Sequence, residues 1–300
     1  MKYEFISFEQ SNNISLLQFL YSPANTFNYI TSSNAISKKF IELTEINDSG
    51  RVNDIIVNNN SEYYVFFSDG DILVGAKQNR VLNTSILLPP NSKRIINVSC
   101  IEHGRWRFNT NRFDRSDNYS PNFIRKQKNI DVFQNVKRKS GFYADQSKVW
   151  NSIDYAFSNV NMHSNTSDLS ELLRFNKNTY QKVISNFKVS EKANGVAIFL
   201  NDIFLSLDIY NRTDVYQEYF QNLIQSVLNE FSYRSKKNNL INENDAKNKI
   251  EYLLTDPKIT EKITADSIGV GFEERFLGND FTGFNLIYAD NLIHKSITSL

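Results

Sequence analysis

A single cysteine, Cys100, serves a chain of 300 residues. One thiol excludes an internal disulfide and any metal site built from several cysteines, and it fits a reducing compartment. Histidine is nearly as scarce: His103, His163 and His294 are the only three, and no two stand at a short metal-ligand spacing, so no metal site is expected from imidazoles. No run of about 18 uncharged apolar residues occurs, which excludes a membrane-spanning helix. The segment Met1 to Glu9 mixes charge into its apolar residues and lacks the apolar core of a secretory signal. These absences predict a cytoplasmic protein without a membrane partner. The phosphate-binding Walker loop, the dinucleotide fingerprint, the nucleophile elbow and the zinc-protease motif are also missing, and Gly269-Val270-Gly271 opens no helical run. No solenoid repeat is present.

What the chain does have is enough apolar residue to fold: 40% hydrophobic and 13% aromatic, which argues against disorder. The first hundred residues read as β-structure. Glu62 to Phe67 and Ile72 to Val74, separated by Ser68-Asp69-Gly70-Asp71, have the pattern of a hairpin. Leu82, Thr84, Ile86 and Leu88 share one parity, Pro89-Pro90-Asn91-Ser92 is a turn, and Arg94, Ile96, Val98 and Cys100 share one face of the returning strand.

Residues 107–145 keep neither period and read as a long loop, with a short helix or strand near Ile130 to Phe133. The stretch 103–139 holds ten Lys or Arg against three acids, so the basic charge is concentrated there. Helical spacing then takes over at Val149, Ile153, Ala156 and Phe157, at Leu169, Leu172 and Leu173, and at Tyr180, Val183, Ile184 and Phe187. Asp214 and Gln217 resemble a capping box ahead of Val215, Tyr219, Leu223, Val227 and Phe231. A polar break around Lys236 to Asn239 precedes a short helix near Lys247 to Leu254. Hairpins are expected around Asn201-Asp202 and Asp290-Asn291, and alternation returns at Ile268, Val270 and Phe272.

The expected fold class is α+β. A mainly antiparallel, sandwich-like half, 1–106, is joined by the basic loop, 107–145, to an α/β half, 146–300, packed on the first.

The candidate site centres on Gly75-Ala76-Lys77-Gln78-Asn79-Arg80, where four polar side chains interrupt two strand-like runs. Arg80 can grip a phosphate or carboxylate with two donors, Lys77 adds charge, and Gln78 and Asn79 can read a base or ribose. The plainer reading is a bulge pointing to water. Parity turns Cys100 inward as a small hydrophobe. Glu102 continues that parity, so it needs a cation such as Arg80, Arg105 or Lys77, or else has a raised pKa and serves as the catalytic acid or base. Trp106 can stack on a nucleobase beside Arg105 or close one end of the sandwich. The mixture of cations with Phe108, Phe113, Tyr119, Phe123 and Phe133 also has the character of a surface for single-stranded nucleic acid.

The stretch Gly75 to Ile86, with Val98-Ser99-Cys100-Ile101-Glu102-His103-Gly104-Arg105-Trp106, resembles the ADP-ribosylglycohydrolase and rhodanese-phosphatase associated protein family, a bacterial group named for its gene neighbours. Similarity runs from about Asn58 to the C-terminus through Lys148 to Ile153, Gly195 to Ile198, Leu207-Asp208-Ile209-Tyr210, Gly269 to Phe272 and His294. Ile209-Tyr210-Asn211 replaces a more usual Val-Phe-Gly, and Asn201-Asp202 replaces Asn-Gly. The resemblance implies recognition, with hydrolytic or transfer processing, of a NAD-derived nucleotide such as ADP-ribose, and partners among the proteins of ADP-ribose metabolism. Asn83 and Asp208 join Lys77, Gln78, Asn79, Arg80, Arg105 and Trp106 as expected ligand contacts. The resemblance carries over no mechanism. Magnesium could accompany the phosphates at Glu102 or Asp208. The alternative is a non-enzymatic protein that binds RNA or a partner enzyme through 103–139.

Overall fold

The computed structural model describes residues 2–22, 27–234 and 239–300, the side chains of 231–234 excepted. In chain order the elements are β1 (Lys2–Ser11), β2 (Ile14–Ser22), β3 (Ile30–Thr31), α1 (Ser32–Ser37), β4 (Ile41–Glu45), β5 (Asp54–Asn59), β6 (Val65–Phe67), β7 (Asp71–Gly75), β8 (Arg80–Leu82), β9 (Ile86–Leu88), β10 (Ser92–Cys100) and β11 (Phe113–Tyr119). They continue with α2 (Asn122–Lys137), α3 (Gln146–Asn159), α4 (Leu169–Phe175), α5 (Lys177–Ile184), β12 (Gly195–Leu200), β13 (Ile203–Tyr210), α6 (Thr213–Arg234), α7 (Glu243–Thr255), β14 (Ile259–Asp266), β15 (Phe272–Gly278), β16 (Phe281–Tyr288) and β17 (Asn291–Ser299). The fold class is α+β, with large antiparallel sheets.

The chain forms two compact units, one of Met1–Phe27, Lys177–Thr264 and Glu273–Leu300, the other of Asn28–Asn176 and Ala265–Phe272. Both are discontinuous in sequence, so neither coincides with the divisions at 106 and 145.

In the first unit eight strands form one sheet in the order β1-β2-β12-β13-β17-β16-β15-β14. Alternation gives it two faces. Leu17, Phe19, Ala197, Phe199, Leu207, Ile209, Phe276, Phe281 and Ile297 join Ala246, Ile250 and Leu253 of α7 in one apolar cluster. The opposite face carries Gln18, whose side-chain oxygen accepts a hydrogen bond from the Tyr216 hydroxyl of α6 at 2.9 Å. The hairpins at Asn201-Asp202 and near Asp290 form as expected, with Asn201 at φ 57° and Ala289 and Asp290 at 47° and 60°. In α6, Val215, Tyr219, Leu223 and Val227 are buried as their spacing implies. The capping box does not form: Asp214 pairs with Arg212, and Gln217 donates to the Glu191 carbonyl. Phe231's side chain and residues 236–238 of the expected polar break lie outside the described residues.

The second unit has a six-stranded antiparallel sheet, β11-β7-β8-β10-β5-β4, and a three-stranded one, β3-β6-β9. Leu43, Ile55, Val57, Leu73, Leu82, Ile96 and Val98 from the larger share an apolar cluster with Val65, Phe67, Ile86 and Leu88 from the smaller. The expected hairpin between 62–67 and 72–74 is not formed, because β6 pairs with β3 and β9 while β7 pairs with β8 and β11. The turn itself forms as expected, the Asp71 amide donating to the Ser68 carbonyl at 3.0 Å, but Asp69 and Asp71 are also buried against arginines, and the chain leaves the turn into a different sheet. The run from Leu82 to Leu88 likewise splits between sheets at Asn83-Thr84-Ser85. Residues 268–271 form a turn held by Ser267 N to Gly271 O, so the alternation there begins only with β15.

The largest departure is the basic segment. Instead of a loop it forms β11 and the sixteen-residue helix α2. Its helical period was hidden because α2 buries Asn122, Arg125, Lys128, Asn129 and Asp131 beside Ile124, Val132 and Phe133. Arg125 donates to both oxygens of Asp69 at 3.1 Å, and Lys128 donates to the carbonyls of Asp69 and Leu82. Polar residues inside remove the apolar stripe by which a helix is read.

Lys295 stands on the apolar side of the first unit's sheet, its ammonium 5.4 Å from the centre of the Phe276 ring. Burial lowers its pKa to about 8, against the pull of Glu274 and with the push of Lys262. Between that value and the ordinary 10.5 the unfolded chain binds more protons, so this group makes stability rise with pH through the window. We expect the unfolding free energy of wild type minus that of Lys295→Met, from urea titrations across this range, to increase with pH. A flat difference would contradict the burial.

Candidate functional site

The polar quartet 77–80 is the loop and first residue of the β7–β8 hairpin, in which Ile72 faces Val81 and Leu73 faces Arg80. Hairpin loops are usually wet. Here Lys77, Gln78, Asn79 and Arg80 are 8%, 3%, 7% and 0% exposed, so the reading of a bulge pointing to water does not hold. The turn depends on Gly75 at φ 114°, where a Cβ would fall 2.5 Å from Thr110 Oγ1 and 2.8 Å from the Arg112 carbonyl. Asn79 Oδ1 accepts from the Gly75 amide at 3.0 Å and closes the loop on itself.

Three acids meet three cations around this loop. Glu102 takes Arg105 through two short bonds, Nε to Oε1 and Nη2 to Oε2, each 2.7 Å, and Oε2 also accepts the Asn79 amide at 3.1 Å. Arg105 spends its remaining reach on the Ala76 carbonyl at 2.7 Å. Glu45, at the end of β4, accepts the Lys77 amide at 3.2 Å and stands 3.7 Å from Arg80 Nη2. Asp168 caps α4 by accepting the Ser170 amide at 2.9 Å, and it also takes the Asn79 side-chain amide at 3.1 Å. Burial raises the Asp168 pKa, opposed by its bonds from Ser170 and Asn79 and reinforced by the charge of Glu102.

Arg80 is the exception to this full pairing. Its Nη1 donates to Gln78 Oε1 at 3.3 Å, but Nε and Nη2 have no hydrogen-bond partner among the described residues, and neither has Glu45 Oε2. Burial lowers its pKa, offset in part by Cys100 and Glu45. Above it lies Trp106, 44% exposed, with the Arg80 guanidinium 5.8 Å from its ring centre. The Lys77 ammonium sits 5.3 Å from the Trp106 ring and 4.9 Å from Phe108, and donates to the Ser49 carbonyl at 3.1 Å. A half-exposed aromatic pair thus holds one cation and covers another.

Of the expected residues, the structure brings Lys77, Gln78, Asn79, Arg80, Glu102, Arg105 and Trp106 together. Asn83 sits at the corner between β8 and β9, with its amide committed to Ser99 and to the Phe142 carbonyl. Asp208 belongs to the first unit, beside His294. Glu45 and Asp168 escaped notice. Asp168 had a readable signal, an Asp two residues before a Ser at the head of an apolar helical run; Glu45, one of two carboxylates in a short alternating strand, had none. Trp150 is only partly buried and stacks on the ring of His103 at 4.0 Å.

Cys100 is fully buried and donates to the Glu102 carbonyl at 2.9 Å. Burial raises its pKa, with Arg80 pulling the other way. A native thiol in this position should resist a disulfide reagent at pH 8 and react only at the rate of unfolding, and labelling faster than unfolding would refute the structural role. Glu102→Gln leaves Arg105 without its counter-charge and should cost on the order of 3 kcal/mol in chemical denaturation.

Comparison with known proteins places the chain in a family. Curated proteins and solved structures yield no match. The profile of the ARG and Rhodanese-Phosphatase-superfamily-associated Protein domain matches residues 2–298, nearly the whole chain, and its name records an association with ADP-ribosylglycohydrolase. The chain therefore belongs to the ARG and Rhodanese-Phosphatase-superfamily-associated Protein domain family.

Proposed function

We propose that the hairpin cluster recognises a NAD-derived nucleotide such as ADP-ribose. The observation that carries this reading is Arg80, wholly buried with two donor nitrogens unspent beneath the half-exposed Trp106. Leaving a charged donor unpaired away from water is costly, and a phosphate oxygen offsets that cost better than any neutral group. Trp106 and Phe108 offer the flat apolar surfaces on which a base stacks, and Lys77 already occupies the position between them that a ligand would contest. Entry requires Trp106 and Lys77 to part, after which Lys77 and Arg80 face the pyrophosphate and Gln78 the ribose or base. The family's association with ADP-ribosylglycohydrolase supports the ligand class and partners within ADP-ribose metabolism.

For hydrolytic or transfer processing, Glu102 was the expected acid or base. Its two oxygens are held by Arg105 and the Asn79 amide, which supports a role in fixing Arg105 over one in moving protons. The basic segment supports nucleic-acid binding poorly, because Arg105, Arg115, Arg125 and Lys128 are spent on internal partners and Arg112 pairs with Glu42. Lys137, Arg138 and Lys139 are exposed at the end of α2.

Calorimetry with ADP-ribose, NAD and ADP tests the reading. Wild type should bind at least one of them. Trp106→Ala should lose about tenfold or more in affinity, the scale of one base–aromatic stack. Arg80→Lys should also weaken binding, because an ammonium cannot make the planar two-donor contact. Neutralising Lys137, Arg138 and Lys139 together should change nothing. Absence of binding by wild type, or equal affinity in both folded site variants, would exclude this cluster as the site.

A further inference from the structure

The first unit contains a second group of buried polar side chains, on the sheet face opposite its apolar cluster. Three successive cross-strand pairs of β13 and β17 lie there: Tyr210 with His294, Asp208 with Ser296, and Ser206 with Thr298. Directly paired residues of antiparallel strands project to the same side, and residues two apart repeat it. All six side chains are at most 1% exposed. The neighbouring strands contribute apolar walls in the same rows, Val196 and Ile198 from β12 and Phe284 and Leu286 from β16. A carboxylate, an imidazole and several hydroxyls are thus gathered between apolar walls.

We infer that Asp208 and His294 are ligands of a divalent transition-metal ion. His294 Nε2 and Asp208 Oδ1 stand 3.3 Å apart. In neutral imidazole the nitrogen facing an acceptor oxygen must share a proton with it or share a cation. Two ligand atoms on bonds of about 2.0 Å at a tetrahedral angle are about 3.3 Å apart, the spacing a zinc-like ion imposes on a nitrogen and an oxygen donor. The donor set selects within the divalent ions, since imidazole with carboxylate suits zinc, manganese or iron better than magnesium, which takes oxygen alone.

The imidazole is also held in the manner of a ligand. It stacks on Tyr210 at 4.5 Å and 18° and meets the edge of Phe284 at 5.6 Å, and Tyr210 in turn stacks on Tyr219 of α6 at 5.3 Å. These contacts fix the ring plane before any ion arrives, as outer-shell partners of metal sites do. Ser206 Oγ and Thr298 Oγ1 have no hydrogen-bond partner among the described residues. They lie roughly 7 Å along their strands from the Asp208–Ser296 pair, within reach of a water on the ion.

The test uses the full chain without a histidine tag, produced in medium containing zinc, manganese and iron, with metal content measured by mass spectrometry after exhaustive dialysis. Wild type and the exposed-residue control His163→Gln should carry about one ion per chain, and Asp208→Asn and His294→Gln should each fall at least tenfold. Since either variant can fail to fold, wild type refolded with Co2+ provides an independent reading: visible bands of tetrahedral intensity, displaced by Zn2+, are expected. Wild type without stoichiometric metal, folded variants that keep it, or refolded protein without the cobalt bands would each overturn the inference. The first would identify the pair as bridged by a proton.

Discussion

Burying a guanidinium without its counter-charge costs more than a small domain can spare, and the second unit is organised around that constraint. Arg105 is held by Glu102, Arg125 by Asp69, Arg115 by Asp71, and Arg80 stands near Glu45. Three of these pairs join segments distant in sequence, β4 to the start of β8 and the corner before β7 to both β11 and α2, while the local Glu102–Arg105 pair ties the end of β10 to the β7–β8 loop through the Asn79 amide and the Ala76 carbonyl. A hydrophobic core of Leu, Ile and Val is tolerant of rearrangement, but paired charges admit few alternatives. The polar interior selects which strands become neighbours, and the apolar cluster then fills around that choice.

This explains where the fold was legible in the chain and where it was not. Elements whose buried face is apolar are legible in the sequence: α3 from Val149, Ile153 and Phe157, the β12–β13 hairpin, the stripe Val215, Tyr219, Leu223 and Val227 of α6, and the β16–β17 hairpin. Elements whose buried face is polar were missed. α2 shows no helical stripe because Arg125, Lys128 and Asn129 occupy it. The turn at Ser68 to Asp71 is legible and forms, but a turn between two strand-like runs does not reveal that Asp69 and Asp71 are also charge anchors and that the flanking strands join different sheets. Parity succeeded with Cys100 and Glu102 because it depends only on alternation along β10.

The candidate site was half visible for the same reason. A run such as Lys77 to Arg80 is conspicuous in a β-rich region, and its convergence with Glu102, Arg105 and Trp106 followed from the expected return of the chain. Nothing local announced Glu45, which enters from a strand thirty-two residues earlier to take the Lys77 amide. Local pattern finds the residues that break a rule, while the partners that make the breach affordable come from elsewhere and look ordinary.

The order of strands in the first unit has a consequence for biosynthesis. β17 lies between β13 and β16, well inside the eight-stranded sheet, although it follows every other strand of that sheet in the chain. By Asn176 the ribosome has delivered nearly all of the second unit, whereas the β1–β2 hairpin must wait for β12, which pairs with β2 from Gly195 opposite Phe19 to Leu200 opposite Ile14. Until Asn291–Ser299 emerges, β13 presents an open hydrogen-bonding edge. Nascent chains are therefore most exposed to intermolecular strand pairing between the emergence of β13 and that of Asn291–Ser299, and a chaperone acting on this protein would find its natural substrate in that interval.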